Sequence, residues 1–403
     1  MKALVVGGGV SGAAVCRYLA RTGVEYVLYD DVKPSSVTRH EIEGEDYSCV
    51  FVSPGIARTH WIYSLEKDWT VTSEIETGLR MLRSVKVGVT GTNFKTTAVK
   101  MLEWMAREEG IQALALGNVG ETVLDRIENP PEIAFIELSS YQLMQLKEPL
   151  LDYSVILNIS ENHIDWHGSF EEYARAKMHI VELTRNECFV SEEVFVRYGA
   201  GRPWHEEKSS LHPYLRQIFP LVDLLAPVLN LDVSRCKQAL LRFPFLEHRL
   251  EKLDLPIPVY NDSKSTTPAA TLFGIRHFEN EVILIAGGRS KGFTFESWKE
   301  GFEGRVKRVV VFGENAREIS GAVKKICPVD VCHNLSEAVK IAFRHAGETG
   351  KILFSPGSSS LDQFTNYIER GKMFKYEAER TYRQCGAPEY GGARPTHDIG
   401  TRY

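Results

Sequence analysis

The chain has 403 residues and a net charge of −5, with 43% hydrophobic and 25% charged residues. This length predicts two or three domains, and the composition is that of an ordinary globular protein, which excludes a disordered chain and a collagen-like fibre. The mild acidity argues against a general nucleic-acid scaffold, and no apolar run reaches the roughly 20 residues that span a bilayer.

The first predicted elements are a strand at residues 3–6, a glycine-rich turn at 7–12 and a helix at 13–20. Strands at 26–29 and 49–52 continue this βαβ pattern to about residue 82. The glycines of the turn, with Asp30 eighteen residues beyond the last of them, match the dinucleotide fingerprint. The pyrophosphate could belong to NAD or to another nucleotide diphosphate such as a UDP-sugar. An ordinary tight turn that binds nothing is the alternative.

The βαβ pattern restarts with a strand at 85–89 and a helix at 98–109. Between them, GVTGTNFKT (88–96) nearly matches the phosphate-binding loop GxxxxGK[ST], in which Lys95 meets the phosphates and Thr96 offers its hydroxyl to Mg2+. Phe94 stands where the pattern has glycine, and a left-handed backbone there would cost about 1–2 kcal/mol. If Phe94 impedes phosphate binding, ATP turnover should rise in a Phe94→Gly variant. An ordinary strand–helix loop is the alternative on this motif alone.

Two further strands, at 133–138 and 153–159, each end in polar residues. Glu137 ends the first, and His163 follows the second. Ligand groups sit beyond the carboxyl ends of parallel strands, and Mg2+ prefers oxygen ligands shared with phosphates. Together with the phosphate loop, these residues predict a magnesium site. His163 taken alone would be an ordinary surface or core histidine.

A third unit begins near residue 245, with strands at 282–286, 309–312 and 352–354. The predicted fold is therefore α/β, with three consecutive domains: a Rossmann-like domain at 1–82, a P-loop ATPase-like domain at 83–245 and a second Rossmann-like domain at 246–380. Residues 381–403 are predicted to form a loose tail. The seven scattered cysteines contain no CxxC pair, which indicates reduced thiols and a cytoplasmic protein.

Eight short motifs occur in one order along the chain. They are GVTGTNFKTT (88–97), GNVG (117–120), ELSSYQL (137–143), NISENHIDWH (158–167), EYARAK (172–177), LEHRLE (246–251), NDSKSTTP (261–268) and SPGSSSLDQF (355–364). In this order they resemble the Mur ligases of peptidoglycan synthesis, over residues 1 to about 375. The chain lacks the DNP-type motif of diamino-acid-adding members and the GTHGK of L-alanine-adding members. A folylpolyglutamate synthetase would lack the glycine-rich first domain. The resemblance is therefore to the branch that adds D-glutamate to UDP-N-acetylmuramoyl-L-alanine.

The resemblance implies a set of site residues. The UDP substrate would contact Val10, Ser11, Asp30, Ser53, Gly55 and Asn118. ATP would contact Gly91, Thr92, Asn93, Lys95, Thr96, Thr97, His248, Arg249, Asp262 and Lys264. Mg2+ would be held by Thr96, Glu137, His163 and Lys177. D-glutamate would contact Thr266, Lys291, Ser360 and Tyr367. The residues with catalytic roles would be Lys95, His163, Lys177 and Arg249.

The resemblance also implies that Lys177 is carbamylated by CO2. From composition alone, Lys177 would be an ordinary lysine on a helix surface. Lys291 could equally be a solvated charge in a turn. The adenine-binding HNxxN stretch of the family appears here as HPYLR (212–216), with both asparagines replaced. We expect a monomer without nucleic-acid or membrane partners. The alternatives are another Mur ligase with a different amino-acid specificity, a UDP-precursor-binding protein with a decayed ATP site, and a nicotinamide oxidoreductase.

Overall fold

The computed structural model describes residues 2–33, 35, 37–65, 67–207, 209, 211–290, 292–347 and 350–384. The predicted α/β fold is confirmed, since helices alternate with strands of three mainly parallel sheets. The chain divides into two compact units, Met1–Pro244 and Phe245–Tyr403. Two of the sheets belong to the first unit and one to the second. The predicted division into three domains would give one sheet per domain, which agrees with the three sheets. The domain boundary at residue 82 stays a prediction.

The first sheet has the strand order β2-β1-β3-β4, and its described pairs are parallel. Its strands are β1 (Lys2–Val6), β2 (Glu25–Tyr29), β3 (Cys49–Val52) and β4 (Thr70–Thr72). The helices of this segment are α1 (Val10–Thr22), α2 (Arg39–Gly44) and α3 (Glu74–Met81), with a short 3-10 turn at Trp61–Ser64. Gly12 packs so closely against the turn after β1 that a Cβ there would overlap the carbonyl oxygen of Gly7. Glycine is therefore needed at this position for α1 to approach the sheet.

The second sheet has the order β10-β9-β8-β5-β7-β6 and parallel pairing. Its strands are β5 (Val85–Thr90), β6 (Ala113–Gly117), β7 (Ile133–Glu137), β8 (Leu151–Ile156), β9 (Thr184–Ser191) and β10 (Arg202–Trp204). The helices are α4 (Lys95–Glu108), α5 (Ser140–Leu143), α6 (Ile164–His167), α7 (Phe170–Met178), α8 (Glu192–Tyr198), α9 (Pro213–Val228) and α10 (Val233–Leu241), with 3-10 turns at Leu124–Arg126 and His179–Val181. The central strand β5 is almost continuously buried, as parallel strands covered on both faces are.

The third sheet has the order β11-β12-β16-β13-β14-β15, and only the β11–β12 pair is antiparallel among its described pairs. Its strands are β11 (Glu251–Lys252), β12 (Val259–Asn261), β13 (Val282–Gly287), β14 (Val306–Phe312), β15 (Val329–Val331) and β16 (Lys351–Phe354). The helices are α11 (Pro268–Ile275), α12 (Trp298–Phe302), α13 (Ala316–Val323), α14 (Leu335–Ala346) and α15 (Tyr367–Gln384).

The register of the second sheet gathers the ends of its central strands at one edge. Val89 pairs with Glu137 on one side and with Val155 on the other, and Glu137 also pairs with Gly117. The loops that follow β5, β6, β7 and β8 therefore leave the sheet side by side. This edge carries most of the side chains that the sequence predicts to bind ATP and Mg2+.

Several predicted boundaries differ from the observed ones. The helix predicted at 13–20 runs from Val10 to Thr22, and the strand predicted at 153–159 ends at Ile156. Helix α15 continues to Gln384, so residues 381–384 of the predicted tail are helical, and residues 385–403 lie outside the described part of the chain. Among the described residues, no helix is long and apolar enough to cross a membrane.

Candidate functional site

The first glycine-rich loop is held in shape by the carboxylate of Asp30. The backbone N–H of Gly8 donates to Asp30 Oδ2 at 2.5 Å, and those of Lys33 and Val32 donate to Oδ1 at 2.8 and 2.9 Å. These hydrogen bonds lower the pKa of Asp30, because they stabilise the ionised form. Asp30, predicted to bind the substrate, thus also organises the loop with both of its oxygens.

The other predicted substrate residues of this segment lie on α1 and after β3. Helix α1 begins at Val10, followed by Ser11, and the residue before it makes no side-chain capping bond. The N–H groups of the first turn therefore lack a side-chain cap, and such groups favour a bound anion. Ser53 is tied to the loop, since its Oγ donates to the carbonyl of Gly7 at 2.9 Å. Gly55 lies exposed in the turn beyond.

The second motif, residues 88–96, comprises the end of β5, the connecting loop 91–94 and the start of α4. Lys95 begins α4, and its Nζ donates to the carbonyl oxygens of Gly91 at 2.8 Å and Thr92 at 3.0 Å. Asn158 fixes the loop from the segment that follows β8, because its Oδ1 accepts from the N–H of Asn93 at 2.8 Å. The Lys95 ammonium therefore lies at the loop itself, where phosphate oxygens could replace the two carbonyls.

Phe94 has a left-handed backbone in the structure. Its φ is 73° and its ψ −8°, and its side chain is only 6% exposed. The ring stacks on Tyr214, with the centroids 4.5 Å apart and the planes 18° from parallel. The left-handed backbone costs about 1–2 kcal/mol, and an aromatic pair contributes about 0.5–1.5 kcal/mol beyond its buried area. The stack is therefore of the right size to offset the strain.

Glu137 is a buried carboxylate at the end of β7. Asn118 Nδ2 donates to its Oε1 at 3.0 Å, while Oε2 is buried and makes no hydrogen bond. The hydroxyl of Thr97, in the first turn of α4 beside the half-buried Thr96, is buried and unbonded as well. Buried polar atoms normally have partners, so these oxygens suit an oxygen-seeking cation such as Mg2+.

A cation here would be held partly by protein oxygens and partly by phosphate oxygens of the bound nucleotide. Among the described residues, no group of three or more His, Cys, Asp or Glu side chains lies close enough to hold a metal ion. Mg2+ typically keeps several waters and binds through one or two carboxylates together with phosphates. The single orphaned oxygen of Glu137 fits that pattern.

Lys177 is buried beside the same loop. Its side chain is 1% exposed, its Nζ donates to the carbonyl of Gly91 at 2.8 Å, and the ammonium lies 4.9 Å from the ring centroid of Tyr173. Burial and the charge of Lys95 lower the pKa of Lys177 well below its usual value, although Glu137 raises it. The amine is therefore biased toward its neutral, nucleophilic form.

His163 is exposed and lies among the aromatic rings of Tyr141 and Tyr173. It has a left-handed φ of 54°, and its ring centroid is 5.3 Å from Tyr141 and 6.5 Å from Tyr173. The hydroxyls of Tyr173 and Thr92 share a hydrogen bond of 3.0 Å, which connects this aromatic cluster to the phosphate loop. Lys95, Lys177 and Glu137, predicted from separate motifs, are thus brought together at one loop, and His163 is connected to it through Tyr173.

Asp262 is buried in the second unit near Arg249. Its Oδ2 accepts from Ser265 Oγ at 2.6 Å and from Ser355 Oγ at 2.8 Å, and its Oδ1 accepts from the N–H of Leu250 at 3.2 Å. Burial raises the pKa of Asp262 to about 6, against the opposing effect of these hydrogen bonds and of the Arg249 charge. Both carboxylate oxygens of Asp262 therefore accept hydrogen bonds, and the bond from Leu250 holds the segment that contains Arg249.

Three predicted residues of the second unit lie together. His248 is 2% exposed; its backbone N–H donates to Glu251 Oε2 at 2.9 Å, and its ring Nδ1 accepts from Asn261 Nδ2 at 2.8 Å. Burial lowers the pKa of His248, so its ring favours the neutral form. Tyr367 is 6.4 Å from the His248 ring, and the Nζ of Lys264 is 4.1 Å from the centroid of Tyr367.

Two of the residues predicted to bind D-glutamate, Thr266 and Ser360, lie in segments that are hydrogen-bonded to each other. Thr266 is half-buried just before α11, and Ser360 is 4% exposed in the loop after β16. The two segments are connected, because the N–H of Gly357 donates to the carbonyl of Ser265 at 2.9 Å. Lys291 lies outside the described residues.

Arg370 is a residue of this region that the sequence analysis missed. Its side chain is fully buried; its Nε donates to Ser263 Oγ at 3.1 Å, its Nη2 to Ser263 O at 2.8 Å and its Nη1 to Ser358 O at 3.0 Å. Burial lowers its pKa to about 9. A signal was present, because Arg370 precedes Phe374 and Ala378 at four-residue intervals and so shares the buried face of α15.

Comparison with known proteins gives consistent results. Residues 89–193 match the family model of the Mur ligase middle domain. The chain is 33% identical over 412 residues to the UDP-N-acetylmuramoylalanine–D-glutamate ligase of Chlamydia trachomatis serovar L2, covering 93% of this chain and 97% of the relative. It is also 33% identical over 408 residues to the ligase of the same name from Aquifex aeolicus, covering 93% and 98%.

A solved structure supports the fold. The MurF ligase of Thermotoga maritima in complex with ADP aligns with a TM-score of 0.59 over 95% of both chains, at 12% identity. At that identity the likeness shows the fold alone.

Proposed function

Because the chain belongs to the Mur ligase family, among the UDP-N-acetylmuramoylalanine–D-glutamate ligases, we propose that it joins D-glutamate to UDP-N-acetylmuramoyl-L-alanine with the use of ATP. It is an ATP-dependent ligase of peptidoglycan precursor synthesis. The observation that carries the proposal is the convergence of Lys95, Lys177 and the orphaned oxygen of Glu137 on one phosphate-type loop.

The reaction brings two anions together. A substrate carboxylate oxygen attacks the γ-phosphorus of ATP, and the bond from that phosphorus to the oxygen of the leaving ADP breaks. Catalysis of such a transfer is mainly positioning and charge neutralisation. We assign the neutralisation of phosphate charge to Lys95 and Arg249.

The second step forms the amide. The amine of D-glutamate attacks the carbonyl carbon of the acyl phosphate, and phosphate leaves. The attacking nitrogen must lose a proton, and we assign its acceptance to His163 or a nearby carboxylate. The buried surroundings of the loop would limit hydrolysis of the acyl phosphate.

Mg2+ is the cation proposed for the loop. When bound, it would neutralise phosphate charge as a Lewis acid. The residues proposed to hold it are Thr96, Glu137, His163 and carbamylated Lys177. Of these, Glu137 has the structural feature that fits best, a buried carboxylate oxygen with no hydrogen bond.

We assign the remaining contacts by segment. Residues 1–82 would hold the UDP group through Val10, Ser11, Asp30, Ser53 and Gly55, and residues 83–245 would hold ATP, with Asn118 on the substrate. Within residues 246–380, we assign D-glutamate contacts to Thr266, Lys291, Ser360 and Tyr367, and ATP contacts to His248, Asp262 and Lys264.

Phosphate release tests the function directly. The assay combines the chain with UDP-N-acetylmuramoyl-L-alanine, ATP, Mg2+ and either D- or L-glutamate. We expect release with the D isomer and little with the L isomer. Release with a different amino acid would indicate another Mur ligase. No release with any amino acid would contradict the ligase proposal and favour a UDP-precursor-binding protein.

A further inference from the structure

Phe94 has the backbone conformation of a glycine in the common phosphate-loop motif, without being one. It is one of six non-glycine residues with positive φ among those that the structure describes. Such a conformation in a bulky residue is strained, and it persists only where the surroundings over-determine it. The loop of this chain therefore needs a stabilising contact that a glycine loop does not need.

Tyr214 supplies that contact from a distant part of the sequence. The two rings are stacked at 4.5 Å, and both side chains are nearly buried, at 6% and 5% exposure. Tyr214 stands at the start of α9, where its N–H donates to the Nδ1 of His212 at 3.3 Å. The ring that meets Phe94 is thus attached to a capped helix, which restricts its movement.

The chain on both sides of Phe94 is also fixed. Asn158 accepts from the N–H of Asn93 at 2.8 Å and donates to the Asn93 carbonyl at 3.2 Å. The carbonyl of Phe94 itself accepts from the N–H of Ala98 at 2.9 Å. Hydrogen bonds therefore hold the backbone of Asn93 and Phe94, and the stack with Tyr214 holds the Phe94 side chain.

We propose that Phe94 and Tyr214 form one positioning unit, which holds the phosphate loop in its anion-binding conformation and so sets the affinity for the triphosphate of ATP. This rests on the proposed use of ATP by the chain. Tyr214 acts only through Phe94, and the two replace the conformational freedom of glycine. If Phe94 merely obstructed the loop, removal of its side chain alone would improve ATP use and Tyr214 would not matter.

A double-mutant cycle tests the proposal, with Phe94→Gly, Tyr214→Ala, their combination and Tyr214→Phe as the conservative variant. The Kd of MgATP is measured by calorimetry without the UDP substrate, and KM and kcat are measured by phosphate release. Tyr214→Ala should raise Kd and KM for MgATP about tenfold, a coupling of about 1.4 kcal/mol. The kcat and the KM for the UDP substrate should stay within about twofold, and Tyr214→Phe should bind MgATP nearly as the unaltered chain does, because it keeps the stack.

The decisive comparison is made in the Phe94→Gly background, where Tyr214→Ala should change the Kd by less than about twofold. Equal effects of Tyr214→Ala in both backgrounds would overturn the proposal, as would higher ATP turnover in Phe94→Gly together with an indifferent Tyr214→Ala. Should Tyr214→Ala not fold, Tyr214→Leu takes its place in the cycle. Absence of MgATP binding by the unaltered chain would also overturn the proposal. If the two substitutions are coupled in the Kd of MgATP but no phosphate is released, the ligase function is contradicted and the positioning role of Phe94 and Tyr214 is supported.

Discussion

Lys177 shows how burial changes the chemistry of a side chain. A lysine amine that is 1% exposed, beside the Lys95 charge, loses much of its preference for the protonated state. A neutral amine can add to CO2, which forms an N–C bond, releases one proton and leaves an anion. The carbamylation implied by the family resemblance therefore has a physical basis in the position of this residue.

We predict that Lys177→Arg and Lys177→Ala lower turnover by roughly a hundredfold, because neither side chain can form the carbamate. With 13C-labelled bicarbonate, the unaltered chain should show a carbamate carbon signal by NMR, and both variants should lack it. Lys86 is a matched control, since it is also buried and burial also lowers its pKa. A signal that persists in Lys177→Arg, or disappears in Lys86→Arg, would contradict the prediction.

Glu74, the first residue of α3, predicts a pH dependence of stability. It is 3% exposed, burial raises its pKa from 4.5 to about 7, and its Oε1 accepts from the N–H of Leu124 at 2.9 Å. The folded chain thus binds more protons here than the unfolded chain between pH 4.5 and 7. Stability must therefore fall as pH rises through this range.

We expect Glu74→Gln to remove that loss, because the amide keeps an acceptor for Leu124 and cannot ionise. Relative to the unaltered chain, the variant should gain roughly 2–4 kcal/mol in the free energy of unfolding between pH 4.5 and pH 8. Urea denaturation at the two pH values measures the change. A difference between the two proteins that does not vary with pH would be the contrary result.

Some residues of the site were predictable from sequence and others were not. Lys95 and Thr96 were predictable because a phosphate loop fixes their spacing from the preceding strand. The use of both Asp30 oxygens within its own loop was not, since it depends on where the backbone of residues 8, 32 and 33 turns. The pairing of Tyr214 with Phe94 depends on tertiary packing across 120 residues of chain, which no local pattern records.

At the scale of elements, the close approach of α1 to the turn after β1 depends on Gly12. We predict that Gly12→Ala destabilises the fold by several kcal/mol and raises the KM for the UDP substrate, because its Cβ would overlap the Gly7 carbonyl. Gly9→Ala is the matched control, since no atom lies within 4 Å of the position its Cβ would take. Thermal unfolding of both variants measures the effect, and equal Tm values would refute it.

Arg370 joins α15 to the loops that follow β12 and β16. We expect Arg370→Met to cost about 3–5 kcal/mol, because it removes three hydrogen bonds from buried acceptors on Ser263 and Ser358. Arg370→Lys should recover only part of this, since an ammonium cannot span the three acceptors. Denaturant titration measures the loss. Full stability in Arg370→Lys would show that the charge alone matters.

The boundaries of elements were less predictable than their order. Helix α1 extends beyond its predicted end to Thr22, where Gly23 adopts a left-handed φ of 70° and caps it. Strand β8 stops at Ile156, although Ile159 is apolar and buried. Such ends are set by capping and by contacts across the fold, whereas the alternation of strands and helices is already present in the hydrophobic pattern.

At the scale of the whole molecule, the α/β class and the family were predictable because eight motifs occur in register. We predict a monomer of 45.5 kDa. The described exposed large apolar side chains are distributed over all three sheet-forming segments, for example Val32, Val196 and Tyr376, whereas a permanent dimer needs one large apolar patch. Sedimentation equilibrium measures the mass, and a value twice as large would contradict this.

The stacked pair also constrains how the sequence can change. Loss of the Tyr214 ring while Phe94 is present leaves a strained loop without the ring stack that stabilises it. Phe94→Gly instead removes the strain first, so that Tyr214 is no longer needed. The two substitutions therefore reach the same double variant by unequal routes, one through a weak nucleotide binder and one through a functional protein. A selection for activity that starts from this chain should accept loss of the aromatic ring at position 214 only after position 94 has become glycine.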